Sequence, residues 1–316
     1  MDKKVSRIFA GTAFSPIQDG ADGTDFFEAA LANGINAFDT ARVYMEAEHS
    51  FGNWLEKSGR REEVVILSKC GHPDAMWNKR VNEKEMRKDL KKSLEELKTD
   101  YIDIYMLHRD DPDTEVAVAV ETFNAMHEEG NIGAFGASNW THTRIEEANE
   151  YAYKHNLIPF SVSSPNFCLA RQVEDPWGGG CVNISGPENQ EPRAWYEKNQ
   201  MQVIAYASLG RGFFSGRMKS EYADHAGDYL DSFAMTGYAC SDNFERLRRC
   251  EIIAEKHGVT VAQIAMNWIF SHPLNIFAIA SMSKADRMKA NREALLLQLS
   301  DEEIAYLDLE TPEFCG

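Results

Sequence analysis

Asp39, Tyr44, Lys69 and His108 are an acid, a phenol, an amine and an imidazole, and three of them stand where an apolar run stops. Asp39 closes the run 35–38, Lys69 follows Val64-Val-Ile-Leu-Ser, and His108 ends Tyr101-Ile-Asp-Ile-Tyr-Met-Leu. Tyr44 belongs to the same stretch as Asp39, Gly34-Ile-Asn-Ala-Phe-Asp-Thr-Ala-Arg-Val-Tyr. A phenol has an ordinary pKa of about 10, so it moves protons near neutrality only when its surroundings help. The pattern reads as a strand that carries an acid and a phenol to one rim, with other strands bringing groups to activate the phenol. Each residue alone has a structural use as a helix cap, a solvated amine or a satisfied core imidazole. Their appearance together, with Ser138 and Asn139 ending a further strand, favours chemistry.

The elements that must position these groups alternate regularly. Short apolar runs predict strands over 7–12, 35–38, 64–67, 101–107, 132–138, 160–164, 202–208 and 276–280. Amphipathic spacing predicts helices over 26–32, 46–57, 83–98, 114–129, 141–155, 188–199, 242–257, 261–271, 284–295 and 301–307, with Thr141 as a cap. The Val- and Ile-rich strands suit a parallel sheet covered on both faces. At 316 residues two domains would be the default. Eight βα units with no linker and no composition shift instead predict one α/β domain over 1–316, a (β/α)8 TIM barrel. A doubly wound sheet is disfavoured because no GxGxxG follows the first strand. Two long loops are expected, 165–187 after strand six and a second from Gly210 after strand seven. In such a barrel the strand ends converge on one mouth.

Composition excludes other roles. The formal charge is −17, from 33 basic and 50 acidic residues, and there is no basic stripe for nucleic acid or anionic lipid. The start lacks an apolar leader and no run is long enough to span a bilayer, so a cytoplasmic protein is expected. The six cysteines show no CxxC or zinc-like spacing, which predicts neither a disulfide nor a metal site.

The ordered set Phe38-Asp-Thr-Ala, Tyr44, Lys69, Asp100-Tyr-Ile-Asp-Ile-Tyr, His108, Gly136-Ala-Ser-Asn, Tyr206 and Gly210-Arg-Gly-Phe resembles the aldo-keto reductases over nearly the whole chain. The resemblance implies a catalytic tetrad on Asp39, Tyr44, Lys69 and His108, and reversible hydride transfer between NADPH, or NADH, and an aldehyde, ketone or sugar carbonyl. In that chemistry Tyr44 is the acid, Lys69 pulls its pKa down, Asp39 braces Lys69, and neutral His108 orients the carbonyl.

It further implies cofactor contacts from Ser138 and Asn139 to the carboxamide, stacking by Tyr206, and a pyrophosphate loop of Ser208, Leu209, Gly210, Arg211 and Gly212. Ser281, Ser283, Lys284, Arg287 and Asn291 fall on the segment that grips the adenosine 2′-phosphate and adenine, and two cations there favour NADPH. Where the family often has Gln on strand six this chain has Val162-Ser163-Ser164, which makes Ser163 the expected substitute. Trp77, Trp140 and Trp177 are the candidates for substrate contact, and Gly178 to Gly180 a hinge for the long loop. Two other functions share these features: a cofactor-binding regulatory subunit of the same fold with little turnover, and a barrel lyase forming a Schiff base on Lys69. The oligomeric state is open.

Overall fold

The computed structural model describes residues 3–282 and 284–312. Its strands are β1 (Ile8–Gly11), β2 (Ala37–Asp39), β3 (Val65–Cys70), β4 (Ile102–Leu107), β5 (Ile132–Ser138), β6 (Val162–Ser164), β7 (Gln202–Ala205) and β8 (Ile276–Ala280). All pair in parallel with their sequence neighbours, and β8 returns to β1 to close a (β/α)8 barrel. The helices are α1 (Thr24–Ala32), α2 (Ala47–Ser58), α3 (Glu83–Leu97), α4 (Val116–Glu128), α5 (His142–Lys154), α6 (Gln190–Asn199), α7 (Ser232–Tyr238), α8 (Ser241–His257), α9 (Val261–Phe270), α10 (Ala285–Ala294) and α11 (Asp301–Leu307).

Two apolar layers follow from the period-2 geometry of strands. Phe9, Ala37, Val65, Leu67, Ile104, Met106, Val162, Ile204 and Ile279 form one cluster, the inside of the barrel. The alternate residues, such as Phe38, Ile66, Tyr105 and Phe135, pack outward against helix faces. Those faces arise from 3.6-residue spacing: α3 buries Met86, Leu90 and Leu97 under a charged exterior, and Asn82 caps it by accepting from the Glu85 amide at 3.1 Å. Thr141 caps α5 similarly, accepting from the Arg144 amide at 3.2 Å. Gly136 is required by the close approach of β5 to β6, since a Cβ there would lie 1.8 Å from the Val162 carbonyl oxygen.

Strand seven is shorter than expected. It ends at Ala205, and Ala207 at φ 51° turns the chain away from the sheet. The segment after it contains α7, which the sequence pattern does not predict; Asp231 caps this helix, accepting from the Ala234 amide at 2.7 Å. Among the described residues, no helix is long and apolar enough to cross a membrane. The five described cysteines are free, and Cys315 lies outside the described residues.

Candidate active site

Counting two residues past the last inward apolar side chain of six strands gives much of the lining of the barrel mouth. From Ala37 the count reaches Asp39, from Leu67 Lys69, from Met106 His108, from Val162 Ser164, from Ile204 Tyr206 and from Ile279 Ser281. All six line one cleft of about 570 Å³, together with Tyr44, Ser138, Asn139 and Trp177. Side-chain alternation in a closed barrel thus delivers polar groups from six different strands to one space.

At its floor Lys69 Nζ contacts Asp39 Oδ1 and donates to the Thr40 carbonyl at 3.0 Å. Asp39 is 3% exposed and Lys69 2%, so the pair has little access to water. The Lys69 ammonium is 5.1 Å from the centre of the Tyr44 ring. That ring meets His108 edge to face, with centroids 5.6 Å apart. The His108 amide extends the β3–β4 ladder, donating to the Cys70 carbonyl at 2.8 Å.

The electrostatics follow from burial. Burial pushes the Tyr44 phenol up, Lys69 pulls it back, and the balance lies above the ordinary value. The net lowering expected from the lysine is therefore not found: desolvation of the tyrosinate outweighs it. Burial disfavours the Lys69 ammonium, but Asp39 and Tyr44 more than compensate and hold it above the ordinary amine value. Burial also raises the Asp39 carboxyl, with Lys69 opposing. His108 is held well below the ordinary imidazole value by burial and by Lys69, His72 and Arg109 nearby, so it is neutral.

On the adjoining wall a network fixes Asn139, which adopts φ 62°. Its Nδ2 donates to the His108 carbonyl and to Ser138 Oγ, both at 3.1 Å. Its Oδ1 accepts from the Tyr206 hydroxyl at 2.8 Å and from the Val182 amide at 3.1 Å. Both donors and both acceptor positions are thus engaged within the protein. Ser138 Oγ donates to the Ser164 carbonyl at 2.8 Å.

Several expected contacts fall elsewhere. Ser163 points outward, its hydroxyl 2.7 Å from that of Tyr196, because the inward register on β6 belongs to Val162 and Ser164. Trp140 is 1% exposed, packed on Phe160 with the Arg144 guanidinium 5.0 Å from its ring centre, and does not reach the cleft. Trp77 is 59% exposed and lies over Gly178 rather than on the cleft wall. Trp177 does line it, meeting Tyr206 edge to face at 5.4 Å.

Around the phosphate-loop candidate, Ser208, Leu209, Arg211 and Gly212 line the cleft, whereas Gly210 is buried beneath them. The Gly210 and Gly212 amides donate inside the loop, to Ala207 at 2.7 Å and Leu209 at 3.1 Å. Arg287 lines the cleft, Lys284 is exposed outside it, Asn291 is buried in α10, and Ser283 lies outside the described residues.

Sequence reasoning misses Ser164, His72, Arg109 and Arg217, all on the cleft wall. Period-2 counting on β6 would have found Ser164. The other three lie on turns beyond strand ends, where no periodicity applies. The charged lining comprises Lys69, Arg109, Arg211, Arg217 and Arg287 against Asp39 and Asp231. Lys69 pairs with Asp39 and Arg211 with Asp231 at 2.7 Å, which leaves the cleft cationic inside a protein of charge −17. Such a cleft can bind an anion and, at its floor, move a proton from a phenol beside an ammonium.

A model of the aldo/keto reductase family matches residues 10–309. The protein tas of Escherichia coli K12 is 28% identical over 340 residues, covering 96% of this chain and 94% of its own. The aldo-keto reductase str7 of Strobilurus tenacellus is 24% identical, covering 95% and 84%. The crystal structure of the thermostable aldo-keto reductase Tm1743 with the inhibitor epalrestat superposes with a TM-score of 0.71 at 21% identity, over 98% of this chain and 96% of that one.

Proposed function

The chain belongs to the aldo/keto reductase family, and from that premise we propose that it reversibly reduces an aldehyde, ketone or sugar carbonyl to an alcohol with NADPH, as one functional unit over its whole length. Oxidoreductases of this family act on small-molecule carbonyls with a nicotinamide cofactor. The observation that carries the reading is the Tyr44 phenol held beside a charged, Asp39-braced Lys69 at the floor of a cationic cleft.

NADPH, when bound, would supply the hydride for the carbonyl carbon. The residues present fit that cofactor: Arg217 and Arg287, beyond β7 and β8, suit its phosphates, and Ser138, Asn139 and Tyr206 suit the nicotinamide end. To hold the carboxamide, Asn139 would give up one of its present partners. The Val182 amide, on the long loop, is the longer of its two acceptor contacts.

Tyr44, with its pKa raised, is fully protonated at neutral pH and is the acid that meets the developing alkoxide. As its proton leaves, the phenolate gains the attraction of Lys69, an interaction that grows along the reaction and so lowers the barrier selectively. Asp39 keeps the ammonium at its post. Neutral His108 donates to the same oxygen without competing as an acid. A Lys69 held charged by Asp39 is a poor nucleophile, which disfavours a Schiff-base lyase. The free cysteines suit a reducing, cytoplasmic setting.

A panel of aldehydes, ketones and sugars, followed by nicotinamide absorbance with NADPH and NADH separately, tests the reading. Turnover of a carbonyl with preference for NADPH is expected. Tight NADPH binding without turnover of any member would mark the protein as a cofactor-binding subunit instead.

A further inference from the structure

The arginines of the cleft fall into two groups on opposite sides of the barrel. Arg211, Arg217 and Arg287 follow β7 and β8, whereas Arg109 follows β4, across the barrel from β8. In the first group Arg217 and Arg287 serve the cofactor phosphates in the reading above, and Arg211 pairs with Asp231. Arg109 is next to His108 and has no such use.

Its hydrogen bonding is incomplete. A guanidinium has five donors. Arg109 Nη1 contacts Cys181 Sγ and makes one long bond, 3.4 Å, to the Gly179 carbonyl, while its Nε is buried with no hydrogen-bond partner. Among the described residues no carboxylate pairs with it. Asp110, its neighbour in sequence, lies 3.5 Å from Arg144. Of the two acids on the loop that covers it, Glu174 is exposed and Asp175 accepts from the Trp177 and Cys181 amides at 2.9 and 2.8 Å. In a strongly acidic protein the described residues thus leave a half-buried arginine at the reacting end of the cleft without a carboxylate. Trp177 and Phe14 supply apolar surface in the same space.

The geometry points to a carbonyl substrate that carries a carboxylate, with Arg109 as the residue that binds this second, non-reacting group. The inference rests on the reductase reading and narrows its substrate class. A carboxylate accepts from two guanidinium nitrogens at once, which Cys181 and Gly179 cannot reproduce. The pairing fixes the distance between the anionic end of the substrate and the carbonyl presented to Tyr44 and His108.

The test compares 3- and 4-formylbenzoate with their methyl esters, with NADPH, in the wild type, Arg109→Met and Arg109→Lys. In the wild type one acid at least is expected to exceed its ester by about tenfold or more in kcat/KM. The ratio should fall to near one in Arg109→Met, chiefly through KM, and recover in part in Arg109→Lys, which keeps the charge but not the fork. A wild-type ratio near one for both pairs, or a ratio unchanged by Arg109→Met, overturns the assignment. Binding of the same compounds to the NADPH-loaded protein, read by tryptophan fluorescence, separates this from the reductase reading. With no turnover of any carbonyl, an Arg109-dependent preference for the acids keeps the anion site and discards the reductase, and its absence discards the site.

Discussion

Lys69 places its ammonium 5.1 Å from the centre of the Tyr44 ring, yet burial still leaves the Tyr44 phenol above its ordinary pKa. For carbonyl reduction the protonated phenol is the working form. We expect kcat/KM for reduction to stay level through neutral pH and to fall only above the ordinary phenol value of about 10. Alcohol oxidation needs the phenolate and should rise over the same range. His108, held well below 6.5, adds no step between pH 7 and 6. A break in that window that disappears in His108→Gln would contradict a neutral imidazole.

The Asp39–Lys69 pair makes a stability cycle informative. Lys69→Met leaves a carboxyl that is 3% exposed without its cation, at a cost of about 3–5 kcal/mol. Adding Asp39→Asn removes the buried charge, so the double variant should be more stable than Lys69→Met alone by at least about 1 kcal/mol in urea unfolding. A double variant no more stable than the single one would show that the two side chains are not energetically coupled.

Arg287 lines the cleft while Lys284 does not, which separates two cations that are equivalent in the sequence. Arg287→Ala should weaken NADPH binding by about ten- to a hundredfold, the worth of a charge-assisted bond to phosphate. NADH binding should change far less, and Lys284→Ala should affect both little. Equal losses for the two cofactors in Arg287→Ala would remove the 2′-phosphate from its reach.

His272 couples the fold to acid. It packs between Phe167 and Trp268, and burial lowers its pKa from 6.5 to about 4. The unfolded chain therefore binds this proton first as pH falls, so stability is full above about 6.5 and is lost towards 4. Thermal melts of wild type and His272→Phe should differ in slope across that window, the variant losing less. Identical slopes would place the acid sensitivity on other groups.

The barrel was legible because most strands are short apolar runs and the longer helices show one buried face. Asp39, Lys69 and His108 were legible for the same reason: they extend an inward register by two residues. Ser163 was misplaced by one position, and on a strand one position exchanges the cleft for the helix layer, where Tyr196 takes its hydroxyl. Trp140 could not be placed by counting, because Asn139 at φ 62° reverses the chain just before it and turns the indole back under α5. Helix α7 spans seven residues with Gly237 inside, too short for a periodic signal, and its start depends on Asp231, which also holds Arg211. Arg109 and His72 sit on turns, where only the folded chain shows which side chains face inward.

The central claim is that Tyr44 donates the proton, and Tyr44→Phe tests it most directly. The change removes one oxygen beside Lys69 and keeps the ring that meets His108. NADPH affinity, read by quenching of protein fluorescence, and kcat for a reducible carbonyl should be measured on the same preparation. The account predicts affinity within about threefold of wild type and kcat lower by about a thousandfold or more. A variant that binds NADPH normally and turns over at the wild-type rate would contradict it.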